Sequence, residues 1–210
     1  AGGTAGTLLH YNGTAWVSLL PGYGGTIKAI WGSSSQRIFL AGNDGIWHFD
    51  GVTWNRMDTG DATDFVSIWG TSSDNVFAIT ENEGNIWHYD GFIWLKMFLP
   101  YGIDTSRYSA VWGDSPETMY AAGENIICYD GVTWKYVFAD SKASLQLKAV
   151  RGDTESNLYT VGDKGMIVQY SDGLWQILKS GIDSDFSGVW VSPDSQVFII
   201  AEETGKGTIY

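Results

Sequence analysis

Residues 31–57 read WGSSSQRIFLAGNDGIWHFDGVTWNRM, and the same text returns three more times along the chain. It reappears as WGTSSDNVFAITENEGNIWHYDGFIWLKM from Trp69, WGDSPETMYAAGENIICYDGVTWKYV from Trp112 and RGDTESNLYTVGDKGMIVQYSDGLWQIL from Arg151. Trp190 opens a fifth copy that runs through VFIIAEETGKGTIY to Tyr210. The starts lie 38, 43, 39 and 39 residues apart. A recurring unit of this length is one supersecondary element that buries its apolar face on its neighbours, so the repeat decides the architecture.

Each copy reads as four strands, A to D. Strand A ends in Ile-Trp-Gly or Val-Trp-Gly, as at Ile30, Trp31 and Gly32, and a polar Ser/Asp turn follows. Strand B covers Arg37 to Ala41 and strand C covers Ile46 to Phe49. Asp50-Gly51 then leads into strand D around Trp54. Asp-Gly favours a type I′ turn, whose two central residues both need positive φ and whose twist matches the flanking strands. The signal recurs at Asn12-Gly13, Asp90-Gly91, Asp130-Gly131 and Asp172-Gly173.

The fifth copy stops mid-repeat, while its missing part stands at the other end as LLHYNGTAW, Leu8 to Trp16. A ring of blades splits a repeat in this way to close itself, because the first strands complete the last blade and remove open sheet edges. The expected fold is therefore all-β: a five-bladed β-propeller of four-stranded antiparallel blades, a single domain over residues 1–210. Its repeats start near 31, 69, 112, 151 and 190, and the N-terminal strands at 7–20 pair with the C-terminal blade. Two strands at the start, sixteen in four whole copies and three at the end make 21, one more than five blades need, because strand C occurs at both termini. A closed ring implies a monomer, and the extra terminal strand offers a route to an oligomer.

Composition agrees with this reading. Of 210 residues, 44% are hydrophobic and 15% aromatic, with only 17% charged, which excludes a disordered chain. Glycine at 27 against proline at 4 suits many tight turns between short strands. The formal net charge of −12 repels nucleic acid and anionic membrane surfaces. The lone Cys128 excludes an internal disulfide and a cysteine-rich zinc site. No run has the length of a membrane span, and AGGTAGTLLHYNG lacks the regions of a signal peptide. The chain opens on Ala1, as a processed or excised piece would. Low charge density, Trp/Gly/Thr-rich strands and an acidic balance lean towards a secreted or cell-surface bacterial protein.

The WGSSS…VFA…HYDG..W pattern resembles bacterial β-propeller repeat proteins of the BNR/Asp-box-like or YVTN/kelch-like type, over essentially the whole chain. That resemblance implies a propeller, used in such proteins for sugar binding, protein interaction or, with added residues, glycoside hydrolysis. An Asp-box would read Ser/Thr-x-Asp-x-Gly-x-Thr-Trp, whereas here Gly51 follows Asp50 directly. A sialidase-like enzyme would also need an arginine cluster. The four arginines, Arg37, Arg56, Arg107 and Arg151, stand at unrelated repeat positions.

Candidate site residues are weighed against the repeat. His10, His48 and His88 share one place in strand C, so separate blades keep them beyond the reach of one metal, and packing explains them. The hairpin aspartates Asp50, Asp90, Asp130 and Asp172 are likewise set apart by the ring, and their turn role accounts for them. Trp31, Trp69, Trp112 and Trp190 in strand A, with Trp16, Trp54, Trp94, Trp134 and Trp175 in strand D, recur once per repeat and read as core. Arg151 replaces Trp in the first set and is a candidate ligand contact, with a snorkelling or paired arginine as the alternative.

Function is sought in the D-to-A connections, where the repeats differ. Tyr23 in PGYGG and Tyr101 in PYGID are candidate ligand-stacking rings. The loop DTGDATD offers Asp58, Asp61 and Asp64 as a candidate Ca²⁺ site without EF-hand spacing. No nucleophile elbow, phosphate loop or HExxH is present. The sequence thus points to a non-catalytic binding or scaffold module, without cofactor, whose loop face recognises a protein or a glycan. The alternatives are a multivalent lectin with pockets between blades and a glycosidase-like enzyme.

Overall fold

The computed structural model describes residues 1–19, 22–60, 62–103, 107–139, 146–154, 157–203 and 206–209. Among them run 21 strands, the number counted from the repeat, and one 3₁₀ turn at Asp163–Gly165. The chain divides into two compact units, Ala1–Met97 and Phe98–Tyr210.

The first unit opens with a two-stranded sheet, β1 (Leu8–Tyr11) and β2 (Trp16–Leu19). A four-stranded blade follows, made of β3 (Ile27–Ser34), β4 (Arg37–Gly42), β5 (Gly45–Phe49) and β6 (Trp54–Arg56). The next holds β7 (Phe65–Ser72), β8 (Asn75–Thr80), β9 (Ile86–Tyr89) and β10 (Trp94–Lys96). All pairings are antiparallel. Strand B is the most buried: Phe39, Leu40 and Ala41 in β4 and Val76 to Ile79 in β8 are all inaccessible. A strand covered on both faces reads as an unbroken apolar run, and IFLA and VFAI are such runs.

The two faces of a blade have different neighbours. Leu40 and Ile27 join Leu8 of the first hairpin and Tyr23. Trp31, Phe39, Ala41 and Ile46 join Phe65, Ile68, Val76, Ala78 and Trp94 of the following blade. There Phe39 meets the Tyr89 ring at 6.0 Å, Trp31 meets Trp69 at 6.4 Å, and the Trp94 indole N–H donates to Met57 Sδ at 3.2 Å.

The second unit repeats this plan. One blade is β11 (Ala110–Ser115), β12 (Thr118–Ala122), β13 (Ile126–Tyr129) and β14 (Trp134–Phe138). Another is β15 (Leu147–Thr154), β16 (Asn157–Gly162), β17 (Met166–Ser171) and β18 (Leu174–Lys179). The last sheet has three strands, β19 (Asp185–Val191), β20 (Val197–Glu203) and β21 (Lys206–Ile209). Tyr120 of β12 meets Trp175 of β18 at 6.1 Å, and Val161 clusters with Phe186 and Ala201. The architecture is all-β and of the propeller type, each of the five repeats giving an antiparallel blade. The described ladders hold β1–β2 and β19–β21 as separate sheets. The edge of β1 away from β2 carries the first residues of the chain: Ala1 and Leu9 exchange two 2.8 Å hydrogen bonds, and Gly2 bridges to Leu8.

The hairpin turns differ from expectation. Only Asp172-Gly173 has positive φ at both residues (52° and 80°), between the paired Ser171 and Leu174, as a two-residue type I′ turn requires. In the blade before it Asp130 stands one place earlier in a link of the same length, YDGVTW against YSDGLW. There only Gly131 is left-handed, and Asp130 Oδ1 accepts the amides of Val132 and Thr133 at 3.1 and 2.9 Å. Asn12, Asp50 and Asp90 cap their links in the same manner. The side chain does the work that backbone twist does at Asp172.

Candidate functional site

These caps settle the hairpin aspartates. Amides of Thr53 and Val52 hold Asp50 below the usual carboxylate range, and those of Ile93 and Phe92 do the same for Asp90. A hydrogen bond from Lys135, with the amides of Thr133 and Val132, brings Asp130 to about 2. Carboxylates held ionised on turns are structural caps and poor proton donors.

The histidines also follow the repeat. His48 lies 4.5 Å from Phe39 and His88 4.5 Å from Phe77, each at 33°. His88 Nε2 contacts Asn75 Oδ1 at 2.7 Å, whereas His48 Nε2 is buried without a partner, because Arg37 occupies the place of Asn75 and donates to the Asp50 carbonyl instead. Burial lowers the pKa of both rings, and the charge of Arg37 lowers His48 further. Arg37→Asn is expected to supply the missing partner. It should raise the His48 pKa in an NMR titration and stabilise the fold by about 0.5–1.5 kcal/mol in denaturant melts, the net worth of one hydrogen bond. An unchanged pKa would refute this account of His48. Among the described residues no group of three His, Cys, Asp or Glu side chains could hold a metal.

Tyr23, expected to be exposed, is buried at 5% accessibility. Its hydroxyl donates to the Gly45 carbonyl at 3.2 Å and accepts the Asp44 amide at 3.1 Å, and its ring lies on Trp47 and Ile27. The tyrosine fastens its Gly-rich connection to the first blade, and burial raises its pKa. Tyr101 is fully exposed, as is Phe98 three residues before it. Arg151 is half-buried on β15 opposite Tyr159, and burial lowers its pKa.

Of the proposed calcium loop, Asp61 lies outside the described residues. Asp58 Oδ1 accepts the Gly60 amide at 2.9 Å. Asp64 pairs with Lys28 of the preceding blade at 2.7 Å, and Asp185 pairs with Lys148 at 3.0 Å at the same repeat positions. The Asp64 carboxylate is thus part of the blade-to-blade contact.

The same loop borders two clefts. One, of about 490 Å³, lies between the outer strand β6 and the β9–β10 hairpin. Asn55, Arg56 and Asp58 form its polar side, and Tyr89, Phe92, Ile93 and Trp94 its apolar side. Phe92 is 90% exposed and Ile93 about half exposed, so the apolar lip faces water. Arg56 is oriented by its Nε–H, which donates to the Asp44 carbonyl at 3.2 Å. The other cleft, of about 510 Å³, is lined by Asp64, Asn82, Glu83, Asn85, Trp87 and Lys96 among others. Trp87 Nε1 is buried there without an acceptor, whereas the equivalent Trp47 Nε1 donates to the Asp44 carbonyl at 3.2 Å. The B-to-C link of the second blade is two residues longer and sets no carbonyl at that point.

Sequence reasoning singled out the connection 58–64 for its carboxylates, of which the described Asp58 accepts the Gly60 amide and Asp64 pairs with Lys28. It missed Arg56, Phe92, Ile93 and Trp87. The longer 43-residue spacing from Trp69 marked the irregular repeat, but no residue pattern marked the clefts.

No family model matches the chain, and no curated protein matches it. Solved structures do. YCF48 bound to D1 peptide superposes with a TM-score of 0.68 at 15% identity, over 100% of this chain and 70% of that one. YCF48 from Cyanidioschyzon merolae gives 0.67 at 13%, over 92% and 73%. The extracellular domain of the putative one component system BT4673 from B. thetaiotaomicron gives 0.68 at 11%, over 99% of this chain but 32% of that one. Likeness at such identities establishes the propeller fold, and it does not single out the BNR or kelch type.

Proposed function

We propose that the chain is a non-catalytic binding module that takes an extended protein segment in the cleft beside β6. The observation that carries this reading is the pairing, in one groove, of an exposed apolar lip at Phe92 and Ile93 with a polar wall at Asn55, Arg56 and Asp58. An extended peptide presents alternate side chains to opposite sides and its amides along its length, and such a groove meets both. The likeness to YCF48 bound to D1 peptide supports the reading, since a solved propeller of this fold is bound to a peptide. The capped hairpin aspartates, each committed to its own turn, support the non-catalytic part.

A glycan reading rests on the second cleft, where Trp87 lines the wall together with the polar side chains of Asp64, Asn82 and Glu83. The two separate in one experiment: selection from a displayed peptide library beside a glycan array. Selected peptides should lose at least about tenfold in affinity on Phe92→Ser/Ile93→Ser, about 1.4 kcal/mol. Peptide binding indifferent to that change, or hits on glycans alone, would overturn the peptide reading.

A further inference from the structure

The first two blades carry the same pair of donors and treat it differently. In the first, Trp47 of β5 stands across the ladder from Arg56 of β6, which makes the two side chains neighbours on one face. One atom serves both: the Asp44 carbonyl accepts the Trp47 indole N–H and the Arg56 Nε–H, each at 3.2 Å. The Asp44 carboxylate lies 4.0 Å from the same Arg56 nitrogen and sets a negative charge beside the cation.

In the second blade Trp87 of β9 stands across from Lys96 of β10 in the same register. Residues 81–84 replace Asn43 and Asp44 in the link before them, and no carbonyl takes the Asp44 place. Trp87 Nε1 is closed to water and has no acceptor, and among the described residues Lys96 has no ion pair. Both residues line the cleft of about 510 Å³. A buried donor without an acceptor carries a desolvation cost, which an oxygen brought to it relieves.

The rest of the wall sorts what can carry that oxygen. Asp64 is already paired with Lys28 at 2.7 Å, and Glu83 accepts the Asn85 side-chain amide. Together with Asn82 they offer acceptors and a donor suited to hydroxyl groups.

We propose that this cleft binds an acidic sugar, a uronate, with one carboxylate oxygen in the place that the Asp44 carbonyl holds in the first blade. That oxygen accepts the Trp87 N–H and the Lys96 ammonium, while ring hydroxyls meet Asp64, Asn82 and Glu83. A carboxylate oxygen reproduces the acceptor geometry of the carbonyl and brings the charge that an ammonium pairs with. Against a net charge of −12, Lys96 is the group of this wall that admits an anion. The Trp87 N–H is closed to water, so pairing it needs a local shift, and the signal of that one proton reads the shift. The proposal rests on the glycan reading of this cleft and is independent of the peptide cleft beside β6, which is lined by other residues.

The test is titration of the full chain with glucuronate, glucose and alanine, followed by NMR in the indole N–H region. Trp87→Phe identifies the Trp87 signal among those of the 11 tryptophans by its loss. Glucuronate should bind at least about tenfold more tightly than glucose and move the Trp87 N–H downfield. Lys96 is exposed on a three-residue outer strand, and circular dichroism checks that its variants keep the fold. Lys96→Met should abolish the preference for glucuronate and leave glucose binding unchanged, whereas Lys96→Arg should keep the preference. Equal binding of the two sugars, or a preference that survives Lys96→Met, would overturn the carboxylate assignment and leave the glycan reading standing. Binding of neither sugar would overturn both. Alanine bound as tightly as glucuronate would make the ligand an amino acid and overturn the sugar. A Trp87 signal unmoved while glucuronate binds would overturn the placement of its oxygen between Trp87 and Lys96.

Discussion

Phe39→Ala is expected to lower the free energy of unfolding by about 3–5 kcal/mol, the range for deleting a buried aromatic ring. Phe39 is wholly inaccessible and lies within 6.0 Å of the Trp31, His48 and Tyr89 rings, two from its own blade and one from the next. Strands hydrogen-bonded on both sides of β4 hold the backbone, so the surrounding rings cannot collapse into the space. The loss therefore combines the transfer energy of the ring with the cavity left behind. Phe198 occupies the same repeat position but is part-exposed, and Phe198→Ala should cost under about 1 kcal/mol in the single chain. Denaturant melts of both variants measure the contrast. Equal losses would mean that the blade-to-blade contact is not what stabilises Phe39.

Gly165→Ala should be nearly as damaging, for a different reason. Gly165 has φ of +66°, and a Cβ there would stand 1.8 Å from the Ile182 carbonyl oxygen and 2.5 Å from Ser180 Oγ. Its amide donates to Ser184 and its carbonyl accepts the Ser180 hydroxyl, both at 2.8 Å, so the turn cannot swing aside without losing them. The left-handed backbone contributes about 1–2 kcal/mol, and the overlap about 1–3 kcal/mol more. Gly173→Ala separates the two: φ is +80° there, but no atom lies within 4 Å of the new Cβ, so only the backbone cost should appear. Melts showing the same loss at both positions would remove the overlap from the explanation.

The repeat carried the strand count and the aromatic core into the sequence, because every copy must bury the same face. Its limits lay where one residue shifts a local balance. Moving the aspartate by one place between YDGVTW and YSDGLW exchanges a side-chain cap for a left-handed backbone, although both contain Asp-Gly. Tyr23 looked exposed because glycines surround it, yet those glycines let the loop fold down onto Trp47. The cleft beside β6 was illegible for a third reason. It is made by the spacing of two hairpins, and its apolar lip, Phe92-Ile93, occupies positions that read as ordinary turn residues. The orphaned His48 was visible in principle, as Arg37 against Asn75 in the aligned copies.

The outer strands also differ in length, and this bears on misassembly. Strands β6 and β10 have three residues each, too few to template a cross-β stack, while β18 has six and exposes Leu174 and Ile177. Strand β14, with five residues, exposes Tyr136 and Val137 as well, so among the four-stranded blades recruitment of unfolded chains into fibrils is confined to the rims of these two, where Lys135 in WKYVF and Lys179 at the end of LWQILK are the charged gatekeepers.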